Sequence, residues 1–282
     1  MRHIVNGNHS RLEFDSIADL LAVVRRHREV LYDREIDSRP EYFGDIRSVD
    51  HLFELACIGW EVQLDDTLRV AEETVATVER SYDVPLWQSR YDIGGADVDV
   101  SRYLSGEPEN MISYHLVETP RTGRVVSLAM NIGATYDVST EDMIKRGKSV
   151  VSLVYALERI GLRTELYTDA QAKSMGSGRE TAREMVKIKD AADALDPAMV
   201  MFAYAHPAFL RGMLLTAMHE HPARIQDSLK VGSAYGIPLK SLANDVFPEG
   251  CIILSTVMRS GDHSVSNVEA FVVKHLKDLG LI

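Results

Sequence analysis

The residues of this 282-residue chain that could do chemistry gather first behind one apolar run. Arg124 to Asn131 (RVVSLAMN) is almost continuously apolar, as a strand covered on both faces is. Directly after it Asn131, Gly133 and Thr135 stand at alternate positions, and Asp137 and Ser139 come next, before a long helical pattern begins. Hydroxyl and carboxylate oxygens arranged in this way hold hard divalent cations such as Mg²⁺. Asn131 brings no charge and Gly133 no ligand, so the cation ligands expected here are Asp137 and Ser139, with Asp262 arriving from the far end of the chain.

Other candidates have a plainer reading. Gly147-Lys148-Ser149 ends like a phosphate loop, but that pattern needs glycine where Asp142 stands, and the tripeptide falls inside the helical pattern. Gly176-Ser177-Gly178 reads as a flexible hairpin loop. His219 and His221 are two apart, so on a helix they do not face each other, and a charge near the helix C-terminus accounts for them. Asp97 and Asp99 share one strand face as a solvated edge. Cys57 and Cys251 each lie in an apolar periodic segment and read as reduced core residues. No serine elbow, paired cysteine cluster or His-Glu-x-x-His motif occurs, so hydrolase and zinc-protease chemistry find no motif.

The elements that must position these residues are set by periodicity. Asp15 and Ser16 are both suited to cap a helix from Ile17, Ser48 or Asp50 opens a second with Val49 on its apolar face that stops at Gly59, a third runs from Glu61 to Arg80, and Thr140 or Ser139 can cap the long helix to about Ile160. Alternation predicts paired strands at 97–100 and 111–118. From residue 121 strand and helix alternate: strand 124–131, helix 140–160 with Gly147 on its buried stripe against a sheet, strand 163–168, loop 169–181, and an antiparallel edge strand at 184–189. A helical region from Asp196-Pro197 breaks at His206-Pro207, Cys251 opens another buried strand, and Ser266 to Glu269 is a capping box for the last helix.

Composition narrows the class. Hydrophobic residues make up 45% and charged ones 26%, which excludes disordered, collagen-like and membrane-spanning compositions. Residues 1–120 hold 24 acidic side chains against 12 basic ones, a balance opposed to nucleic acid as the main partner. No apolar stretch marks a signal peptide or a membrane span, so a cytosolic protein is expected. The division expected is an acidic helical region with a β hairpin at 1–120 and an α/β domain at 121–282.

The loop at Asn131, Gly133 and Thr135 resembles the metal-adhesion loop of von Willebrand factor A (vWA) domains, whose pattern is Asp-x-Ser-x-Ser. That resemblance implies a doubly wound, mostly parallel sheet with ligands at the strand C-terminal ends. His206 stands near the place of such a domain's threonine ligand, and Asp262 near that of its second aspartate. The whole chain also resembles an uncharacterised family of bacterial and phage-encoded proteins, through VDVSRYLSGEPENM (98–111), the run 131–166, AHPAFLR (205–211) and VVKHLKDLGLI. Together these imply a non-enzymatic adaptor, encoded by a phage or mobile element, that docks a protein such as a ring ATPase or phage component through Asn131, Gly133, Thr135 and His206. A phage assembly component and a divalent-metal-dependent enzyme are the alternatives.

Overall fold

The computed structural model describes residues 1–31, 36, 38–82, 88–115, 124–240, 245–255, 257 and 268–280. Along the chain run β1 (Arg2–Asn6), β2 (His9–Phe14), α1 (Ile17–Arg26), α2 (Pro40–Phe43), α3 (Val49–Ile58) and α4 (Leu64–Tyr82). Next come β3 (Gln88–Asp92), β4 (Asp97–Val98), α5 (Val100–Leu104), β5 (Met111–His115), β6 (Val125–Asn131) and α6 (Thr140–Arg159). The rest is β7 (Arg163–Lys173), β8 (Thr181–Lys189), α7 (Pro197–Ala205), a helical stretch Phe209–Glu220, α8 (Ala223–Leu229), β9 (Ile237–Pro238), β10 (Ile252–Leu254) and α9 (Val268–Asp278).

Local chemistry starts the helices. Ser16, Ser48 and Ser139 each accept a backbone N–H three residues on, and Asp196 accepts those of Ala198 and Met199, so orphan donors at four helix starts are satisfied. Asp99 does the same for α5, which ends the alternating stretch at Val98 where a longer strand was expected. Gly147 packs on α7 instead of on the sheet: a Cβ there would lie 2.3 Å from Ala205 Cα and from the Tyr204 carbonyl oxygen.

The main sheet is mixed. Its order is β1-β2-β8-β7-β6-β10, with β9 on the end of β7. β6 lies parallel to β7 and β10, and β2 parallel to β8, while β1–β2, β7–β8 and β7–β9 are antiparallel. The N-terminal hairpin therefore shares hydrogen bonds with strands from beyond residue 121, and β8 becomes an interior strand instead of an edge. Its lysines are satisfied accordingly. Lys189 is 5% exposed, with Nζ on the Thr164 carbonyl at 2.9 Å and on Glu158 at 3.0 Å, and Lys187 pairs with Glu165 at 3.0 Å. β7 also continues through Lys173, into the segment read from sequence as loop.

Alternation gives the sheet two different faces. Leu12, Val126, Leu128, Met130, Leu166 and Val186 join α1, α3, α6, α7 and the 209–220 stretch in one large apolar core. The opposite face is covered by a smaller cluster, Ala129, Tyr167 and Met185 under Phe247 and Cys251. The fold is α/β around a mixed seven-stranded sheet. In a separate three-stranded sheet, β3-β5-β4, only 97–98 and 111–112 of the two segments expected to pair do so among the described residues, and β5 pairs over its whole length with β3. Among the described residues no single helix is long and apolar enough to cross a membrane; α7 and the 209–220 stretch meet that test only as a pair bent by 71°.

Candidate functional site: a cavity beyond the strand ends

β6 ends at a side chain that shapes the turn beyond it. Asn131 is fully buried; its Nδ2 donates to the Leu239 and Lys240 carbonyls at 2.9 and 3.1 Å, and its Oδ1 accepts the Gly133 N–H at 2.9 Å. This turn sends Gly133 and Thr135 over a cavity of about 710 Å³. Its floor is β7 and β8 at Ala170, Ala172 and Glu184, its roof Leu210, Leu214 and Thr216 of the 209–220 stretch, and its sides are α2 and the loop 232–238. A cavity of this size, mostly apolar with a few polar groups, has the dimensions of small-molecule sites.

Arg211 fastens the walls together. It is 6% exposed, donates from Nη1 to the Tyr42 carbonyl at 2.7 Å and from Nη2 to the Val138 carbonyl at 2.6 Å, and stacks over the Tyr42 ring at 4.1 Å. The 209–220 stretch begins with the wider π-helical turn Phe209–Leu214, on which Arg211 sits. Burial pulls the Arg211 guanidinium below its ordinary value.

Two histidines that the sequence places side by side part company here. His219 lines the cavity; its Nε2 is buried without a hydrogen-bond partner among the described residues, and burial lowers its pKa, which favours the neutral ring. His221 turns the other way and is 2% exposed. Its Nε2 lies 2.6 Å from Glu184 Oε1 and its Nδ1 2.6 Å from Ser10 Oγ, which in turn lies 2.9 Å from His3 Nε2. Carboxylate, imidazole and hydroxyl are ordered as in an acyl-transfer triad, yet Ser10 is 2% exposed and lies between two imidazoles, so its oxygen is not presented as a nucleophile.

The expected site residues divide. Gly133 and Thr135 line the cavity, while Asn131 braces it from behind. His206 caps α7, accepts the Ala208 N–H at 3.2 Å, packs edge-on against Trp60 at 4.8 Å and is held neutral by burial, its pKa lowered to about 4. It is a packed core histidine and does not line the cavity. Asp137 accepts a hydrogen bond from Thr135, and Ser139 caps α6. Asp262 lies outside the described residues, and among those described no group of three His, Cys, Asp or Glu could hold a metal ion. Cys251 is buried as expected, but Cys57 is exposed, because α3 turns that position outward. Asp97 accepts from Tyr114, and Asp99 is taken up by its helix cap.

Residues 2–282 match the family model described as "Domain of unknown function (DUF7192)". The chain belongs to that family. No curated protein and no solved structure matches it. The span of DUF7192 takes in the whole cavity, from α2 to the loop 232–238, and the polar chain from His3 to His221.

Sequence reasoning missed Arg211 and Glu184. Arg211 had a signal, since it is the one Lys, Arg, Asp or Glu between Pro197 and Met218. Glu184 had none, because its partners come from residues 10 and 221.

Proposed function

We propose that this protein is a recognition module whose strand-end cavity seats a small organic ligand with an apolar body and a hydrogen-bonding end. The observation that carries the reading is the cavity of about 710 Å³ beyond the strand ends, whose mostly apolar wall includes the polar side chains of Thr135, Glu184 and Thr216. A mostly apolar cavity of this size with a few converging polar groups is the usual setting for such a ligand. Leu210, Leu214, Ala170 and Ala172 supply the apolar walls, and Glu184 and Thr216 polar contacts.

In this reading the adaptor role expected from the vWA resemblance falls to the rim. Gly133 and Thr135 sit there beside Tyr136, 86% exposed, where a protein partner would sense whether the cavity is filled. A vWA-type cation would need Asp262 beside Asp137 and Ser139, and no step is assigned to one. No feature of the cavity speaks for a phage assembly role.

The test is a thermal-shift screen of neutral, anionic and cationic aromatic and aliphatic fragments against the full chain. A true ligand at about 100 times its Kd raises the melting temperature by roughly 5 °C. Ala134→Trp, which fills the cavity from its rim, abolishes that rise. If no class binds, or if binding is indifferent to Ala134→Trp, the reading fails.

A further inference from the structure

Resting on the reading of the cavity as a ligand site, we propose that Glu184 is its proton-exchanging group and that His221, Ser10 and His3 form a conduit carrying protons between Glu184 and solvent. The tautomers are fixed by the partners. A Glu184 carboxylate can only accept, so His221 donates from Nε2, which leaves Nδ1 to accept the Ser10 hydroxyl proton. Ser10 oxygen then accepts from His3 Nε2. Every donor along the chain points toward Glu184.

One shift per link moves a proton inward without moving a heavy atom. An imidazolium at His3 gives its Nε2 proton to Ser10, Ser10 gives its hydroxyl proton to His221 Nδ1, and His221 gives its Nε2 proton to Glu184. The result is a neutral His3, a neutral His221 protonated at Nδ1 and a Glu184 carboxylic acid. Charge and protons balance, and no co-reactant is needed.

The two ends of the chain differ in the way a conduit requires. His3 lies on the exposed edge strand β1, whereas Ser10, His221 and Glu184 are each 2% exposed and Glu184 lines the cavity. The charges around the chain are few. Glu220 of the 209–220 stretch favours the charged form of His3, while burial and His221 oppose it. Asp169 on β7 interacts with Glu184 but is paired with Arg183, and Arg224 of α8 is held by Glu180, Asn8 and the Gly7 carbonyl. His219 faces the cavity, and His27 of α1 pairs with Glu220.

A purely structural latch and a conduit respond oppositely to cutting the outer link. The experiment tracks exchange of the His221 Nε2 proton with solvent in full-length ¹⁵N-histidine-labelled protein. His3→Gln, at an exposed position that does not threaten folding, slows that exchange severalfold; Ser10→Ala slows it as well, and Ser10→Thr, which restores a hydroxyl, recovers it. Exchange that is unchanged or faster in His3→Gln overturns the conduit, since loosening a latch only speeds opening. In the wild type, ¹⁵N shifts at pH 8 show His221 protonated at Nε2 with Nδ1 bare, and the opposite tautomer also overturns it. These readouts need no ligand, so they fail or succeed independently of the fragment screen.

Discussion

Arg211→Met removes the cation that ties α2 and the β6–α6 loop to the 209–220 stretch while keeping an apolar side chain of similar reach. Two carbonyls, Tyr42 O and Val138 O, lose donors now at 2.7 and 2.6 Å. Leaving a buried acceptor unpaired costs about 1–3 kcal/mol. Tyr42 is only partly buried and its carbonyl regains some water, while the variant is relieved of desolvating a guanidinium, so the net loss is about 2–4 kcal/mol. That is a large share of the roughly 5–15 kcal/mol that holds a typical domain together. Arg211→Lys keeps the charge but loses the fork that serves two carbonyls, and costs about 1–2 kcal/mol. Urea unfolding measures the loss, and amide hydrogen exchange at residues 42–44 and 138–140 shows that it is centred on the cavity wall. A loss under about 0.5 kcal/mol for Arg211→Met, or protection unchanged at both segments, would refute the assigned role.

Three further outcomes are tied to particular positions. Gly147→Leu destabilises the protein by about 1–3 kcal/mol in thermal or urea unfolding, even though leucine is the better helix former, because its Cβ must displace the α7 backbone at Tyr204 and Ala205. His206 has a folded pKa of about 4, below its ordinary value, so its contribution is complete above about pH 6.5 and is lost as the pH falls toward 4, about 3 kcal/mol in all. His206→Gln, which keeps an acceptor for the Ala208 N–H, flattens that acid limb in urea midpoints taken between pH 4 and 7. Asp169, raised to about 6 by burial, runs in the opposite sense over the same window, so the comparison is made as variant against wild type. Exposed Cys57 reacts promptly with a disulfide reagent, whereas Cys251, buried and pushed up to about 12, reacts only after unfolding; two fast thiols in the folded protein would contradict this.

Features legible in the sequence were local. Serine and aspartate caps sit next to the helices they start, so Ser16, Ser48, Ser139 and Asp196 mark real boundaries. The apolar run of β6 needs no partner to announce itself. The N-terminal hairpin is different: β1 is exposed throughout, and β2 is held by pairing with β8 about 170 residues away, a partner that local propensity does not encode. Asp169 to Lys173 looked like a loop because its polar residues alternate with alanines; in the fold Asp169 is neutralised by a buried Arg183 at 2.6 Å and the alanines face the helices. Lys187 and Lys189 suggested an edge strand because their acidic partners lie on β7 and α6. The turn beyond β6, where Gly133 and Thr135 border the cavity, was legible. The cavity itself was not, because its roof, floor and polar chain meet only when residues 3, 10, 184, 211, 219 and 221 are folded together.

The most direct trial of the cavity as a ligand site is a crystal structure of the full chain with the tightest-binding fragment from the screen. That fragment is expected between Ala170, Leu214 and the Gly133–Tyr136 loop, with a polar atom at ordinary hydrogen-bond distance, about 2.7–3.2 Å, from one of the polar side chains of the wall, Thr135, Glu184 or Thr216. A fragment seated in the groove between α1, α3 and Met199, or one that touches none of those polar side chains, would contradict the assignment.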